Sequence, residues 1–138
     1  MTIINEQFTV NTEGNTDIID ITKQVQNFVY QQGLKDALVC VSIQGSTSAV
    51  TTIEYEPGLV KDLKEALEKV APSAQEYHHD EIWHDGNGYA HIRSALMGSS
   101  VCIALKDGLL NLGTWQQIIL LDFDNKPRSR CVTVQIIS

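Results

Sequence analysis

The sequence predicts an α+β fold, in which a mostly antiparallel sheet has two longer helices laid on it. Several runs rich in β-branched residues are separated by short turns, which is typical of antiparallel strands. Two longer segments carry apolar residues at helical spacing. The chain of 138 residues shows no internal repeat and no linker, so we expect a single domain spanning residues 1–138.

The first half of the chain contains four predicted strands with one helix among them. The strands lie around residues 4–10, 17–21, 37–43 and 49–55, and the helix follows the second strand. Thr22 is expected to cap this helix, and Gly33 is expected to end it. Because only a short Gly-Ser-Thr-Ser turn separates the last two strands, we expect them to pair with each other.

The second half begins with the clearest helix and ends with three strands. Pro57 opens the helix and Pro72 ends it, and one face is apolar while the charged remainder is a solvated face. Residues 75–88 are predicted to be irregular, and a short helix over 90–97 follows. The last three predicted strands are residues 100–105, 115–123 and 130–137.

Charge and hydropathy together weigh against several classes of function. The chain has 10 Lys and Arg against 17 Asp and Glu, a formal charge of −7, which disfavours nucleic-acid binding. No apolar run is long enough for a membrane helix, and the N-terminus lacks a signal-peptide pattern, so a cytoplasmic location is expected. Cys40, Cys102 and Cys131 sit in apolar runs and are expected to be buried, reduced thiols.

All four histidines fall between positions 78 and 91, in a stretch that also contains acidic and amide side chains. Imidazoles and carboxylates are usual ligands of zinc and similar ions, so this cluster is a candidate metal or catalytic site. The spacing matches no tight metal motif. The alternative is a polar loop whose histidines cap helices and form hydrogen bonds in solvent.

Two further groups of residues are candidates for anion binding. Arg93 and Ser94 lie near the start of a predicted helix, where free amides and a guanidinium can hold an anion, although a plain salt bridge is the alternative. Ser46 and Thr47 follow Gly45 in a turn that offers hydroxyls and amides to a phosphate. This turn lacks the glycine and lysine pattern of a nucleotide-binding loop.

Three other side chains are candidates at the ends of strands. Glu54 and Glu56 share one parity and could bind a metal ion or move protons, with an exposed strand edge as the alternative. Trp115 is either core filler or an aromatic wall against a flat ring.

Three stretches together resemble the YjbQ-like family of secondary thiamine-phosphate synthases. They are Asp85-Gly-Asn-Gly-Tyr-Ala-His91 running into Arg93-Ser-Ala-Leu-Met-Gly-Ser-Ser100, Asp107-Gly-Leu109 to Leu112-Gly-Thr-Trp-Gln116, and Pro127-Arg128 to Ile137. The resemblance covers nearly the whole chain and implies an α+β homotrimer with a polar site near subunit contacts. His79 and His91 match family histidines, and the matching polar positions are Asp85, Asn87, Ser94 and Gln116.

The sequence also departs from the family pattern. Gly45 and Tyr89 stand where the family has histidines, so the chain resembles a variant branch with Gly-Ser-Thr in place of His-Thr-Thr. A family-type metal site would then need Glu54 or Glu56 in place of one missing imidazole.

The activity implied by the resemblance joins a pyrimidine diphosphate to a thiazole phosphate and releases pyrophosphate. A divalent ion, zinc or magnesium, would be held by His79, His91 and a carboxylate and would stabilise the departing pyrophosphate. In this interpretation the catalytic residues are His91, Asp85 and Asn87, and the substrate-binding residues are Arg93, Ser94, Ser46, Thr47, Trp115 and Gln116. The alternative is a non-catalytic protein that binds a metal ion or a phosphorylated metabolite, and a purely structural role is third.

Overall fold

The computed structural model describes all 138 residues and contains eight strands and four helices. The strands are β1 (Ile3–Thr12), β2 (Asp17–Asp20), β3 (Ala37–Ile43), β4 (Ser48–Ile53), β5 (Ser100–Lys106), β6 (Leu109–Leu110), β7 (Gln117–Asp122) and β8 (Arg128–Ile137). The helices are α1 (Thr22–Gln31), α2 (Pro57–Val70), α3 (His78–Trp83) and α4 (Gly88–Met97). The α+β class and the antiparallel pairing are confirmed.

The strands form two sheets rather than the single sheet expected. Five strands pair in the order β1-β8-β3-β5-β6, and three pair in the order β2-β7-β4. The predicted pairing of β3 with β4 is wrong, because β5 and β8 occupy both hydrogen-bonding edges of β3. Instead β4 joins the second sheet, where its first residue, Ser48, lies opposite Asp122 of β7.

The three-stranded sheet is the middle layer of the molecule. Ile118 and Leu120 of β7 face the core shared with α1 and the five-stranded sheet. Ile119 and Leu121 face the second core, which includes side chains of α2 and α4. All four are completely buried, so the continuous apolar run of β7 reflects burial on both faces.

Two helix starts differ from the prediction. Ile21, not Thr22, is the N-cap residue of α1, and Asp20 accepts hydrogen bonds from the Thr22 amide and hydroxyl. The predicted irregular stretch contains α3, whose first turn is held by Asp80, a carboxylate that accepts from the amide of Tyr77. This helix has only six residues and no buried face, so it leaves no apolar periodicity in the sequence.

The cysteines are not buried. Cys40 and Cys131 are half-buried and Cys102 is exposed, because all three lie on the outward-facing parity of their strands.

None of the four helices has the length and apolar character needed to cross a membrane.

Candidate functional site

The structure brings together two of the predicted site histidines. His79 lies on α3 and His91 on α4, and their ring centroids are 4.4 Å apart with the ring planes tilted by 48°. The other two histidines, His78 and His84, are exposed. The cluster seen in the sequence therefore reduces to one close pair of imidazoles.

Asp85 holds one ring of this pair in place. Its carboxylate lies 3.4 Å from Nε2 of His79 and accepts a hydrogen bond from the amide of Asn87 at 3.1 Å. Desolvation raises the pKa of Asp85, but the hydrogen bonds from Asn87 and His79 outweigh it and lower that pKa below its ordinary value. Asp85, His79 and His91 thus form a short chain of polar groups that ends at the His91 ring.

His91 also lines an open cleft of about 320 Å³ between the turn before β4 and helix α4. The lining residues are Gly45, Ser46, His91, Ser94, Ala95, Gly98 and Ser99. The ring nitrogens of His91 make no hydrogen bond within the chain, whereas the Ser94 hydroxyl donates to the carbonyl of Ser48. His91 is therefore free to contact a ligand, and Ser94 instead ties α4 to β4.

Thr47 and Asn87 belong to a buried polar network behind this cleft. Thr47 Oγ1 accepts from Nη2 of Arg130 at 2.7 Å and donates to Asp124 at 3.0 Å. Asn87 accepts from the amide of Asn125. Desolvation raises the pKa of Asp124, but the hydrogen bonds from Thr47, Asn87 and an arginine lower it overall. Thr47 and Asn87 therefore fix the loops around the cleft.

Sequence reasoning missed Asp122, Asp124 and Arg130, which form the centre of this network. Arg130 is paired with Asp122 through two nitrogens, at 2.7 and 2.8 Å. The signal available in the sequence was a pair of aspartates at the end of a continuous apolar strand. Two acidic side chains in that position need cationic or hydroxyl partners nearby.

One nitrogen of Arg130 has no partner. Nη1 makes no hydrogen bond within the chain, yet it keeps contact with solvent although the side chain is only 9% exposed. A Cβ atom at Gly45 would lie 2.8 Å from this nitrogen and 3.2 Å from Ser48 Oγ. That hydroxyl is itself buried and without a partner. Gly45, a residue of the cleft wall, therefore stands beside two unused polar groups.

Arg93 takes the plain salt-bridge alternative. Its side chain is 2% exposed and bonds Glu68 at 2.8 Å, Thr16 at 2.7 Å and the carbonyl of Ala71 through two nitrogens. Its guanidinium carbon also lies 4.9 Å from the ring centroid of Tyr89. With these partners in place, Arg93 joins α4 to α2 and has no free face for a ligand.

The remaining predicted residues lie at the other end of the three-stranded sheet. Gln116 donates to Thr52 near the end of β4, and Trp115 beside it is 72% exposed. Glu54 is exposed, and the carboxylate of Glu56 caps α2 by accepting from two backbone amides. Since the length of β4 separates these side chains from the cleft, the distance along the strand is roughly 16 Å.

The donor groups around the histidine pair are too few for a metal site within one chain. No group of three or more His, Cys, Asp or Glu side chains in the chain is arranged to hold a metal ion. The two imidazoles are close together, but Glu54 and Glu56 do not complete a set with them. One chain alone therefore does not fit the divalent ion that the resemblance implies.

An antiparallel two-sheet α+β domain with an imidazole pair beside a polar cleft is the class that this fold and site define. The profile of the family described as UPF0047 protein YjbQ-like matches residues 6–138. The chain belongs to this family.

Similar proteins cover nearly the whole chain. A UPF0047 protein of Archaeoglobus fulgidus is 40% identical over 131 residues, which is 95% of this chain and 99% of that protein. A protein of unknown function from Sulfolobus solfataricus superposes with a TM-score of 0.92 at 28% identity, covering 98% of this chain and 96% of its own. A YjbQ/UPF0047 protein from Clostridium acetobutylicum gives 0.86 at 36% identity, covering 96% and 99%.

Proposed function

We propose that the cleft beside His91 binds a phosphorylated small metabolite and that the chain has weak thiamine-phosphate synthase activity. The observation that carries this proposal is the imidazole pair, in which His79 is oriented by Asp85 and His91 has free ring nitrogens at the cleft. An imidazole with no protein partner can donate a hydrogen bond to a phosphate oxygen or exchange a proton with it.

The surroundings of the pair also favour a phosphate oxygen. Ser46, whose side chain carries a hydroxyl that can donate to a phosphate oxygen, also lines the cleft. Nη1 of Arg130 is a charge-assisted donor without a partner next to Gly45. Asp122 already balances the charge of Arg130, so we expect this nitrogen to bind one ligand oxygen rather than to neutralise a whole diphosphate.

In the proposed reaction, the thiazole nitrogen attacks the methylene carbon of the pyrimidine diphosphate. A carbon–nitrogen bond forms as the carbon–oxygen bond breaks, and the electron pair leaves with pyrophosphate. His91 would donate a hydrogen bond to the departing pyrophosphate, and Asp85 would hold His79 against the His91 ring.

The size of the cleft favours a second candidate function. About 320 Å³ is at the lower limit of small-molecule sites, roughly 300–1,000 Å³, and accommodates one phosphorylated ring more readily than two. The resemblance also implies that Gly45 and Tyr89 stand where the family has histidines, and Tyr89 is buried against Arg93. The second candidate is therefore a protein that binds a phosphorylated metabolite without turning it over.

We also propose the homotrimer that the family resemblance implies. Four exposed apolar side chains lie on α3 and α4 near the histidine pair: Ile82, Trp83, Ile92 and Leu96. A neighbouring subunit on this surface would bury them and enlarge the cleft. Light scattering on the purified protein tests this proposal. We expect the mass of three 15.3 kDa chains, and the mass of a single chain would contradict it.

The divalent ion remains a separate proposal, because one chain does not supply its ligands. Elemental analysis of untagged protein tests it. Zinc or magnesium at one or more equivalents per trimer would support the ion. Protein that holds neither ion when dialysed against each would contradict it.

The activity test compares two histidine variants that differ in position. His91→Ala removes the free imidazole, and His78→Ala is the matched control because that side chain is 99% exposed. We expect wild type and His78→Ala to form thiamine phosphate above a heat-inactivated control, and His91→Ala to lose at least about tenfold. Equal activity of His91→Ala and wild type would refute the assigned role.

Binding is measured separately by melting temperature with added pyrophosphate or pyrimidine diphosphate. A shift that is present in wild type and absent in His91→Ala, without product formation, supports the second candidate. If the wild type gives no product and shows no shift in melting temperature, both functions are refuted.

A further inference from the structure

The two cysteines of β3 and β5 face each other across adjacent strands. Cys40 lies directly opposite Cys102 in the antiparallel register. The amide of Ile43 donates to the carbonyl of Ser99 at 3.0 Å, and hydrogen-bonded pairs alternate along the ladder. Three steps from that pair, Cys40 and Cys102 occupy a non-hydrogen-bonded position, where side chains are closest.

The spacing at such a position permits a disulfide. Opposite Cα atoms in a non-hydrogen-bonded pair are about 4.5 Å apart, and disulfides span roughly 4.4–6.8 Å. The position therefore lies at the short end of the permitted range. Because Cys102 is exposed, a bond formed there is easier to reduce than a buried structural disulfide.

Both thiols lie on the side of the sheet that faces away from the core. Val39 and Val41, which flank Cys40, are completely buried, whereas Cys40 is half-buried and Cys102 is exposed. Leu38 beside them is also exposed. A small reagent in solution can therefore reach Cys102 directly and Cys40 through it.

The two thiols are not equivalent. Burial raises the pKa of the Cys40 thiol, and a hydrogen bond with Cys102 raises it further. The raised pKa makes Cys40 slower to react, and the exposed Cys102 is the thiol that a reagent in solution reaches first. The third thiol, on Cys131, cannot take part, since Gln135 is the β8 residue opposite Cys40 and Cys131 lies about 13 Å further along the strand.

We propose that Cys40 and Cys102 form a modification site, a dithiol that closes reversibly to a cross-strand disulfide by exchange with a small disulfide such as oxidised glutathione. The Cys102 thiolate attacks the glutathione disulfide, giving a mixed disulfide and releasing one glutathione thiolate. Cys40 then gives up its proton to solvent, and its thiolate attacks the Cys102 sulfur and releases the second glutathione as a thiolate. The protein loses two electrons and two protons, and one oxidised glutathione becomes two reduced glutathione molecules.

The test counts free thiols in the full chain at fixed ratios of reduced to oxidised glutathione. Samples are quenched in acid, alkylated under denaturing conditions and weighed by mass spectrometry. We expect the number of alkylated cysteines to fall from three to one, with Cys131 still modified and no glutathione retained. Dithiothreitol should restore all three.

Three serine variants complete the test. Cys131→Ser should still lose two thiols, whereas Cys40→Ser should stop at a glutathione adduct on Cys102. Cys102→Ser should keep its thiols, and circular dichroism confirms that each variant is folded. Three alkylated thiols in excess oxidised glutathione, a stable adduct on wild type, or a disulfide between chains would each overturn the proposal.

Discussion

The carboxylate of Asp122 is the side chain whose replacement should weaken the fold most clearly. It is completely buried and accepts four hydrogen bonds. Two come from Arg130 at 2.7 and 2.8 Å, one from the Thr12 hydroxyl at 2.6 Å and one from the Asp124 amide at 3.0 Å. Asp122→Asn keeps the shape of this group but removes its charge and turns one acceptor into a donor.

The magnitude follows from what remains around Arg130. Removing one partner of a buried ion pair costs about 3–5 kcal/mol, because the other charge stays buried without compensation. Asp124 lies 3.9 Å from Nη2 of Arg130 and supplies part of that compensation. We therefore expect Asp122→Asn to lower the free energy of unfolding by about 3 kcal/mol, the lower end of that range.

Chemical denaturation followed by far-ultraviolet circular dichroism measures this loss. Tryptophan fluorescence is a poor reporter, because Trp83 and Trp115 are 69% and 72% exposed. Glu81→Gln is the control, since Glu81 pairs with His78 at 3.5 Å on the surface and should change stability by less than about 0.5 kcal/mol. All samples are held at one protein concentration. A loss for Asp122→Asn within about 1 kcal/mol of the control would refute the buried-pair reasoning.

Two further predictions concern α2 and the cleft wall. The hydrogen bond from Arg93 lowers the pKa of Glu68 from 4.5 to about 2, so its stabilisation is complete above pH 4.5 and lost as the pH falls towards 2. Because Glu68 is half exposed, we expect the wild type to lose about 1 kcal/mol of unfolding free energy over this pH range, and Glu68→Gln not to show this loss. Urea unfolding curves that shift with pH by the same amount in both proteins would contradict this. Gly45→Ala should lower the free energy of unfolding more than Gly33→Ala in the same assay. A Cβ atom at Gly45 would lie 2.8 Å from Nη1 of Arg130, whereas a Cβ atom at Gly33 would meet no neighbouring atom. Equal losses for the two variants would contradict this.

The sequence predicts secondary structure better than strand pairing in this chain. The helix from Pro57 and the last three strands lie close to their predicted positions, because each has a clear apolar periodicity or run. The pairing of β4 was wrong because a short turn looks the same whether the chain folds back onto β3 or crosses to another sheet. The first arrangement is excluded only because β5 and β8 occupy both edges of β3. These pairings join residues that are far apart in the sequence.

At the site, the residue types predicted which side chains are polar. They did not predict whether each side chain is left free for a ligand or bonded to another part of the protein. His79 and His91 come together as predicted, because α3 and α4 are separated by a short turn. Arg93 and Thr47 were expected to meet a ligand, but both are buried and bonded to other side chains. A sequence shows that an arginine is present; it does not show which carboxylate lies beside it after folding.

The distribution of unused hydrogen-bonding groups narrows the search for a ligand. In a folded chain nearly all buried polar groups find partners, so those left over mark places where a partner is missing. Here Ser48 Oγ is such a group, and it lies beside Gly45, a residue of the wall of the cleft that His91 lines. Two independent features, the unpaired hydroxyl behind Gly45 and the free imidazole, thus point to the same cleft. Because Trp115 and its neighbours lie at the other end of β4, a site that uses them as well requires a second subunit.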